Sequence, residues 1–171
     1  RRLHAIAPRL EIETFAERLE PSNARERIAR AAFVIDATDD PASKFLINDV
    51  CVETGTPFVY GGAIMMIGQA MTVIPGQTAC LRCLFEGPPD EGDAESCRDA
   101  GIVGPVAGAI GEAQAAEALS WLGGKRPALT GRMLAYNGKT GSFRVSEIAA
   151  RSGCGCGAAA KTNPTAAIAG G

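Results

Sequence analysis

Hydrophobic and polar positions change rhythm several times along this chain. "RRLHAIAP" (1–8) reads as the last turns of a helix, and "LEIETF" (10–15) alternates apolar and polar as a strand does. "PSNARERIARA" predicts a short charged helix capped by Ser22 or Asn23. "AFVIDAT" (32–38) is a continuous apolar run that ends in an acid, the pattern of a buried parallel strand. "PASKFLINDVCVETG" predicts a helix with Pro41 in its first turn and Gly55 just beyond its end. "PFVYGGAI" is the next buried strand, which completes a right-handed βαβ unit.

After that unit the pattern changes. "QAMTVIP", "GRMLAYN" and "GSFRVSEI" are strands separated by turns, and "NGKTG" (137–141) carries hairpin chemistry. The expected fold is therefore α/β: a partial Rossmann-like parallel sheet that continues into antiparallel strands. A polar segment, "EGPPDEGDAESCRDAG", interrupts it, and loops of this length in compact domains tend to be functional. A helix from about 104 to 122 follows. Its Gly104, Gly108, Gly111 and Ala115 fall on one face. Glycine costs a helix roughly 1 kcal/mol, so this stripe predicts that another backbone comes close there. The main domain is expected over 1–157, followed by a flexible tail over 158–171 that has neither periodicity nor bulk.

With 171 residues the chain is long enough for one domain with a substantial core. A net charge of −2 and an aromatic content of 5% argue against nucleic acid as a partner and against an anionic membrane surface. The longest apolar stretch is broken by Glu112, Gln114 and Glu117, so no membrane span is expected. The N-terminal residues hold no apolar signal core, which points to the cytoplasm. In a reducing compartment, six cysteines suggest metal or chemistry before disulfides.

Three constellations carry candidate chemistry. Cys80 and Cys83 form a C-x-x-C pair, and Cys154 and Cys156 a C-x-C pair after the last hairpin. Two short thiol pairs brought together by a fold suit a structural zinc ion at the domain rim; four unrelated thiols, or a redox pair at Cys80 and Cys83, are the alternatives. Asp36, Asp39 and Asp40 crowd the carboxyl end of a parallel strand, where open α/β sheets hold ligands. Asp39 could hold a nucleotide's magnesium, or either Asp39 or Asp40 could simply cap the next helix. Cys97, beside Arg98 in the polar loop, is a candidate nucleophile or an adventitious thiol. Cys51 reads as ordinary core.

The stretches "VIDATDDPASKFLIND", "PFVYGGAIMMIGQAMTV", "CLRCLF", "SCRDAGIVGPVAGAIGEAQAAEAL" and "GRMLAYNGKTGSFR", in this order and spacing, resemble the ThiF/MoeB/HesA family, relatives of ubiquitin-activating enzymes. The resemblance runs from about Ala5 to Gly157. It implies ATP- and magnesium-dependent adenylation of the C-terminal Gly-Gly carboxylate of a small β-grasp sulfur-carrier protein, of the thiamin or molybdopterin type. It implies a homodimer with a structural zinc on Cys80, Cys83, Cys154 and Cys156. Asp39 matches the acid that meets ATP and magnesium, with Asp40 beside it. Cys97 matches the loop cysteine that, in several members, bonds covalently to the activated carrier.

The chain departs from the family pattern at four places. No G-x-G-x-x-G phosphate loop occurs at a strand–helix junction. Asp40 stands where the family usually has Asn, and Lys44 where it usually has Arg, which loses bidentate reach. The second thiol pair is one residue short. The expectation is that the first half of a typical nucleotide-binding domain is missing, leaving apolar sheet surface uncovered and the chain dependent on a partner. A non-catalytic, zinc-stabilised docking or dimerisation module is the alternative function.

Overall fold

The computed structural model describes residues 2–88 and 101–157. Cys97 and the 158–171 tail lie outside the described residues. A five-stranded mixed sheet in the order β1–β2–β3–β4–β5 carries the domain. Its strands are β1 (Val34–Asp36), β2 (Phe58–Ile64), β3 (Ile67–Val73), β4 (Arg132–Asn137) and β5 (Ser142–Glu147). β1 and β2 run parallel, with Ile35 opposite Val59, and all later pairings are antiparallel. The expected change from parallel to antiparallel pairing therefore occurs at β2.

The helices are α1 (Arg2–Ile6), α2 (Pro21–Ala29), α3 (Pro41–Thr54), α4 (Leu81–Leu84) and α5 (Gly104–Leu122). α3 is the crossover of the βαβ unit. The Asp40 side chain accepts from the Ser43 N–H at its start, Pro41 fills the first position, and Gly55 ends it in the left-handed region at φ 73°. Proline there loses no helical hydrogen bond, and glycine takes a positive φ without a Cβ clash. None of the helices among the described residues is long and apolar enough to cross a membrane.

Two cores flank the sheet. Phe45, Val50, Cys51, Phe58, Met71 and Val73 belong to the larger, which α2, α3 and α4 cover. Ala70, Ile110, Leu129 and Leu134 form the smaller, under α5. Cys51 is fully buried in the first, as its place in the helix predicts, and burial followed by the nearby Asp36 charge pushes its thiol up to about 12.

Four expectations need correction. Residues 10–15 form no strand and no alternating burial pattern. An alternating segment becomes a strand only where a partner edge receives it, and none of the described strands pairs with it. The first residue of α2 is preceded by Glu20, not capped by Ser22 or Asn23. Glu20 and Asn23 satisfy each other's backbone N–H groups in a capping box. β1 is an edge strand of three residues and is buried only at Asp36; Ile35 is 48% exposed.

The small-residue stripe of α5 also faces the other way. Gly104, Gly108 and Gly111 are exposed, and a Cβ at any of them would meet nothing within 4 Å. The close approaches are on the strand side. A Cβ at Gly61 would lie 2.5 Å from Gln114, at Gly68 2.5 Å from Ile110, and at Gly138 2.8 Å from Val106. The sheet's glycines let the large residues of α5 seat on it. Leu119 and Leu122, on the outer half of the same helix, are 71% and 63% exposed.

Candidate functional site

The carboxyl ends of β1 and β2 open into a cleft of about 600 Å³, a volume suited to a nucleotide-sized ligand. Ala37, Thr38 and Asp39 form one wall with Lys44 of α3. Gly61 to Ile64 and Ile67 form the opposite one, α5 closes it with Ala107, Ile110 and Gln114, and Leu81 and Phe85 reach in from α4.

The three acids at the end of β1 have separate fates. Asp36 is completely buried and accepts from the Thr38 N–H at 3.0 Å and hydroxyl at 2.6 Å. Its second oxygen accepts from Lys44 Nζ at 3.2 Å, and the same ammonium donates to the Gly61 carbonyl. The pair survives burial because each charge finds an opposite charge and further hydrogen bonds. Asp40 caps α3. It accepts from the Ser43 N–H at 2.9 Å and hydroxyl at 2.7 Å, and pairs with Arg18 at 3.0 Å. The Ser43 hydroxyl holds its carboxyl below the usual carboxylate range against the opposing effect of partial burial, and the Ser43 N–H and Arg18 reinforce it.

Asp39 is exposed on the cleft wall and has no hydrogen bond or ion pair among the described residues. It also borders a second hollow, of about 520 Å³, shared with Arg18, Asp40 and Ser43. A carboxylate free of protein partners at a strand's carboxyl edge, beside the N-terminus of a helix, can share a divalent cation with phosphate oxygens.

A second constellation sits at α4, which packs beside the middle of α3. The ligand sulfurs of Cys80, Cys83, Cys154 and Cys156 all lie within 4.8 Å of one another. Cys80 Sγ is 3.7 Å from Cys154 Sγ, and Cys83 Sγ is 3.6 Å from Cys156 Sγ. Tetrahedral bonds of about 2.3 Å to a common ion would separate the sulfurs by about 3.8 Å. The donor set therefore fits a structural metal ion, and the tighter C-x-C spacing does not prevent it. Burial pushes the Cys80 thiol up, and the crowding sulfurs add to this. Cys154 moves down: burial opposes its thiolate, but the Cys156 N–H and the neighbouring thiols donate to it and outweigh that cost.

One helix connects the two places. Asn48 of α3 is buried and accepts from the Leu81 N–H at 2.9 Å, which satisfies the first turn of α4. Asp49 accepts from Arg82 Nε at 2.6 Å and from its second nitrogen at 2.7 Å. The C-terminal segment closes over α4 through the Gly76 N–H to Cys156 carbonyl bond and the Arg151–Glu86 pair. α4 thus carries two thiols on one side and offers Leu81 to the cleft on the other.

Comparison with known proteins decides the family. The ThiF family model matches residues 1–158. The chain belongs to the ThiF family. It is 36% identical over 151 residues to the adenylyltransferase and sulfurtransferase MOCS3 of Dictyostelium discoideum, covering 86% of this chain and 36% of that protein. It is 34% identical over 143 residues to the SAMP-activating enzyme E1 of Haloferax volcanii, covering 84% of this chain and 53% of that one. Among solved structures it resembles E. coli MccB at TM-score 0.75 and 15% identity, covering 91% of this chain and 49% of that one. That likeness concerns the fold. The chain spans about a third to a half of the length of the relatives it matches.

Within this ThiF-family fold, the four predicted thiols converge and Asp39 lines the cleft. Asp40 also borders the second hollow but is committed to capping, the plainer of the two roles its position allowed. Three functional-looking groups escaped the sequence reading of roles: the Asp36–Lys44 ion pair, Gln114 and Glu117. Gln114 is 4% exposed, and its amide nitrogen donates to the Asp36 carbonyl at 2.7 Å. Glu117, equally buried, accepts from the Thr72 hydroxyl at 2.6 Å and from the Ala128 and Leu129 N–H groups. The available signal was two polar side chains, three apart, on the inward face of an apolar helix.

Proposed function

We propose that this chain forms part of an enzyme that uses ATP and magnesium to adenylate the C-terminal Gly-Gly carboxylate of a small β-grasp sulfur-carrier protein. The observation that carries the reading is Asp39, the one acid of the β1 cluster without a protein partner among the described residues, standing on the wall of a nucleotide-sized cleft. Adenylation brings a carboxylate to a triphosphate. Asp39 would hold the metal that offsets these anions, and the strand edge would orient them for attack at the α-phosphate. Gly61, Gly62 and Ala63 line the same cleft as Asp39, so an acyl tail lying along β2 would meet the nucleotide there. The names of the MOCS3 and SAMP-activating relatives support the same class of reaction.

Zinc on Cys80, Cys83, Cys154 and Cys156 is structural in this reading. It pins the last segment to α4 and so keeps that side of the cleft in place. In a following step the Cys97 thiolate attacks the carbonyl carbon of the acyl-adenylate and displaces AMP, leaving the carrier as a thioester, and two copies of the protein assemble as a homodimer in the cytoplasm. A second reading is a zinc-stabilised docking or dimerisation module without catalysis, supported by the convergence of the four thiols.

Exchange of labelled pyrophosphate into ATP separates the two readings. Adenylation predicts magnesium-dependent exchange stimulated by a carrier ending in Gly-Gly. Binding of that carrier without exchange would select the docking module. A Cys97→Ala variant is expected to keep exchange while losing any covalent carrier adduct by mass spectrometry.

A further inference from the structure

Gln114 belongs neither to the metal-binding acid nor to the thiol corner, yet much of the local structure is arranged around it. It is 4% exposed and borders the cleft. Its amide nitrogen donates to the Asp36 carbonyl at 2.7 Å and approaches the Val59 carbonyl at 3.4 Å, straddling β1 and β2. Two carbonyl acceptors on one side fix which end of the amide is nitrogen. The carboxamide oxygen is left facing away from them and accepts no hydrogen bond among the described residues. Gly61 makes room for this group, since a Cβ there would stand 2.5 to 2.6 Å from the carboxamide carbon, nitrogen and oxygen. No fully buried side-chain oxygen or nitrogen of the described residues lacks a partner, so this unpartnered oxygen is reachable from the cleft that Gln114 borders, where a donor on a ligand can complete it.

The chemistry of the two walls narrows the ligand. Asp39 and Lys44 lie on the β1–α3 side, and that side suits a metal with phosphates. Phosphate oxygens bring no donor for a carboxamide oxygen. The β2 side is built from small and apolar residues, where an extended peptide would lie, and a peptide brings N–H groups. Gln114 sits between the two. We propose that the Gln114 carboxamide oxygen accepts a hydrogen bond from a backbone N–H of the acyl substrate's C-terminal tail and so sets where its terminal carboxylate stops. This rests on the adenylation reading of the cleft. Gln114 is then a specificity-determining residue: it reads an amide in the tail, and glycine at 61 is needed to let it do so.

The test uses the intact protein and a peptide ending in Gly-Gly, together with two analogues in which one of the last two amide N–H groups is replaced by an ester oxygen. Binding is measured by calorimetry, with ATP titrated separately. For the wild type, one ester is expected to bind roughly fivefold to tenfold more weakly than the amide, the size of one net hydrogen bond. In Gln114→Met that discrimination is expected to vanish, with ATP affinity followed in parallel. The proposal is overturned if neither ester weakens wild-type binding, a measurement that needs no variant to fold. It is equally overturned if Gln114→Met still discriminates. A loss of ATP affinity in Gln114→Met with peptide discrimination intact would place the donor on the nucleotide, overturning the proposal while adenylation stands. If the wild type binds neither peptide nor ATP, the adenylation reading falls and takes this one with it.

Discussion

The cleft end of α3 and the thiol corner at α4, beside the middle of that helix, both gather like groups, and the two places resolve the crowding differently. At the cleft the protein supplies its own partners: Lys44 and Thr38 for Asp36, and Arg18 and Ser43 for Asp40. Only Asp39 is left over. At the corner the four sulfurs converge on a common centre, and Arg82, whose guanidinium feels the charge of Cys80 and Cys154, donates its hydrogen bonds to Asp49. The difference shows how to read each cluster. Where neighbours satisfy all but one acid, the remaining acid is the candidate for a ligand. Where ligand atoms surround a common centre, the centre itself is the candidate site.

The largest effect that this contrast predicts is at the corner. Structural zinc is worth on the order of 10–16 kcal/mol in small fingers. Cys80→Ser is expected to reduce bound zinc from one per chain to nearly none and to lower Tm by roughly 15 °C or more, read by metal analysis and thermal melting. Zinc-free wild type with an unchanged Tm would show that the corner holds together through its packing alone.

The next effect is at the saturated part of the cleft. Lys44→Met leaves Asp36 buried and uncompensated, a loss of about 3–5 kcal/mol. Adding Asp36→Asn should recover part of it, because the stranded charge is then gone. Denaturant melts of the single and double variants give the comparison, and equal stability of the two would remove the ion pair from the account.

Asp40→Ala is expected to cost about 1 kcal/mol, the usual value of a helix N-cap. It also has a pH signature. Asp40 is held below its unfolded value, so its contribution is present above the unfolded carboxylate range and is lost as pH falls through the lower folded value. The variant should therefore lose less stability than the wild type between neutral pH and the region below about pH 4. Parallel acid limbs in the two proteins would contradict this.

Much of this arrangement was legible in the sequence, because it is written in local chemistry. Pro41 and Gly55 mark both ends of α3, the Asn-Gly turn marks the last hairpin, and the thiol pairs announce their own meeting. What stayed hidden depends on who arrives from far along the chain. Residues 10–15 alternate like a strand but receive no partner edge. The α5 glycines looked like a contact stripe, whereas the glycines that admit close packing are Gly61, Gly68 and Gly138 on the sheet side. The Lys44–Asp36 pair and the Gln114 bridge join residues whose proximity only the folded βαβ unit creates.

Asp39→Asn tests the central claim most directly, by magnesium-dependent ATP–pyrophosphate exchange measured beside the melting curve. With no protein partner to lose, the substitution is expected to shift stability by less than about 0.5 kcal/mol. Exchange should fall by roughly a hundredfold or more, the scale of losing an electrostatic contact to the transition state. Exchange retained at the wild-type level in Asp39→Asn would mean that the unpartnered acid is not where the metal and nucleotide are held.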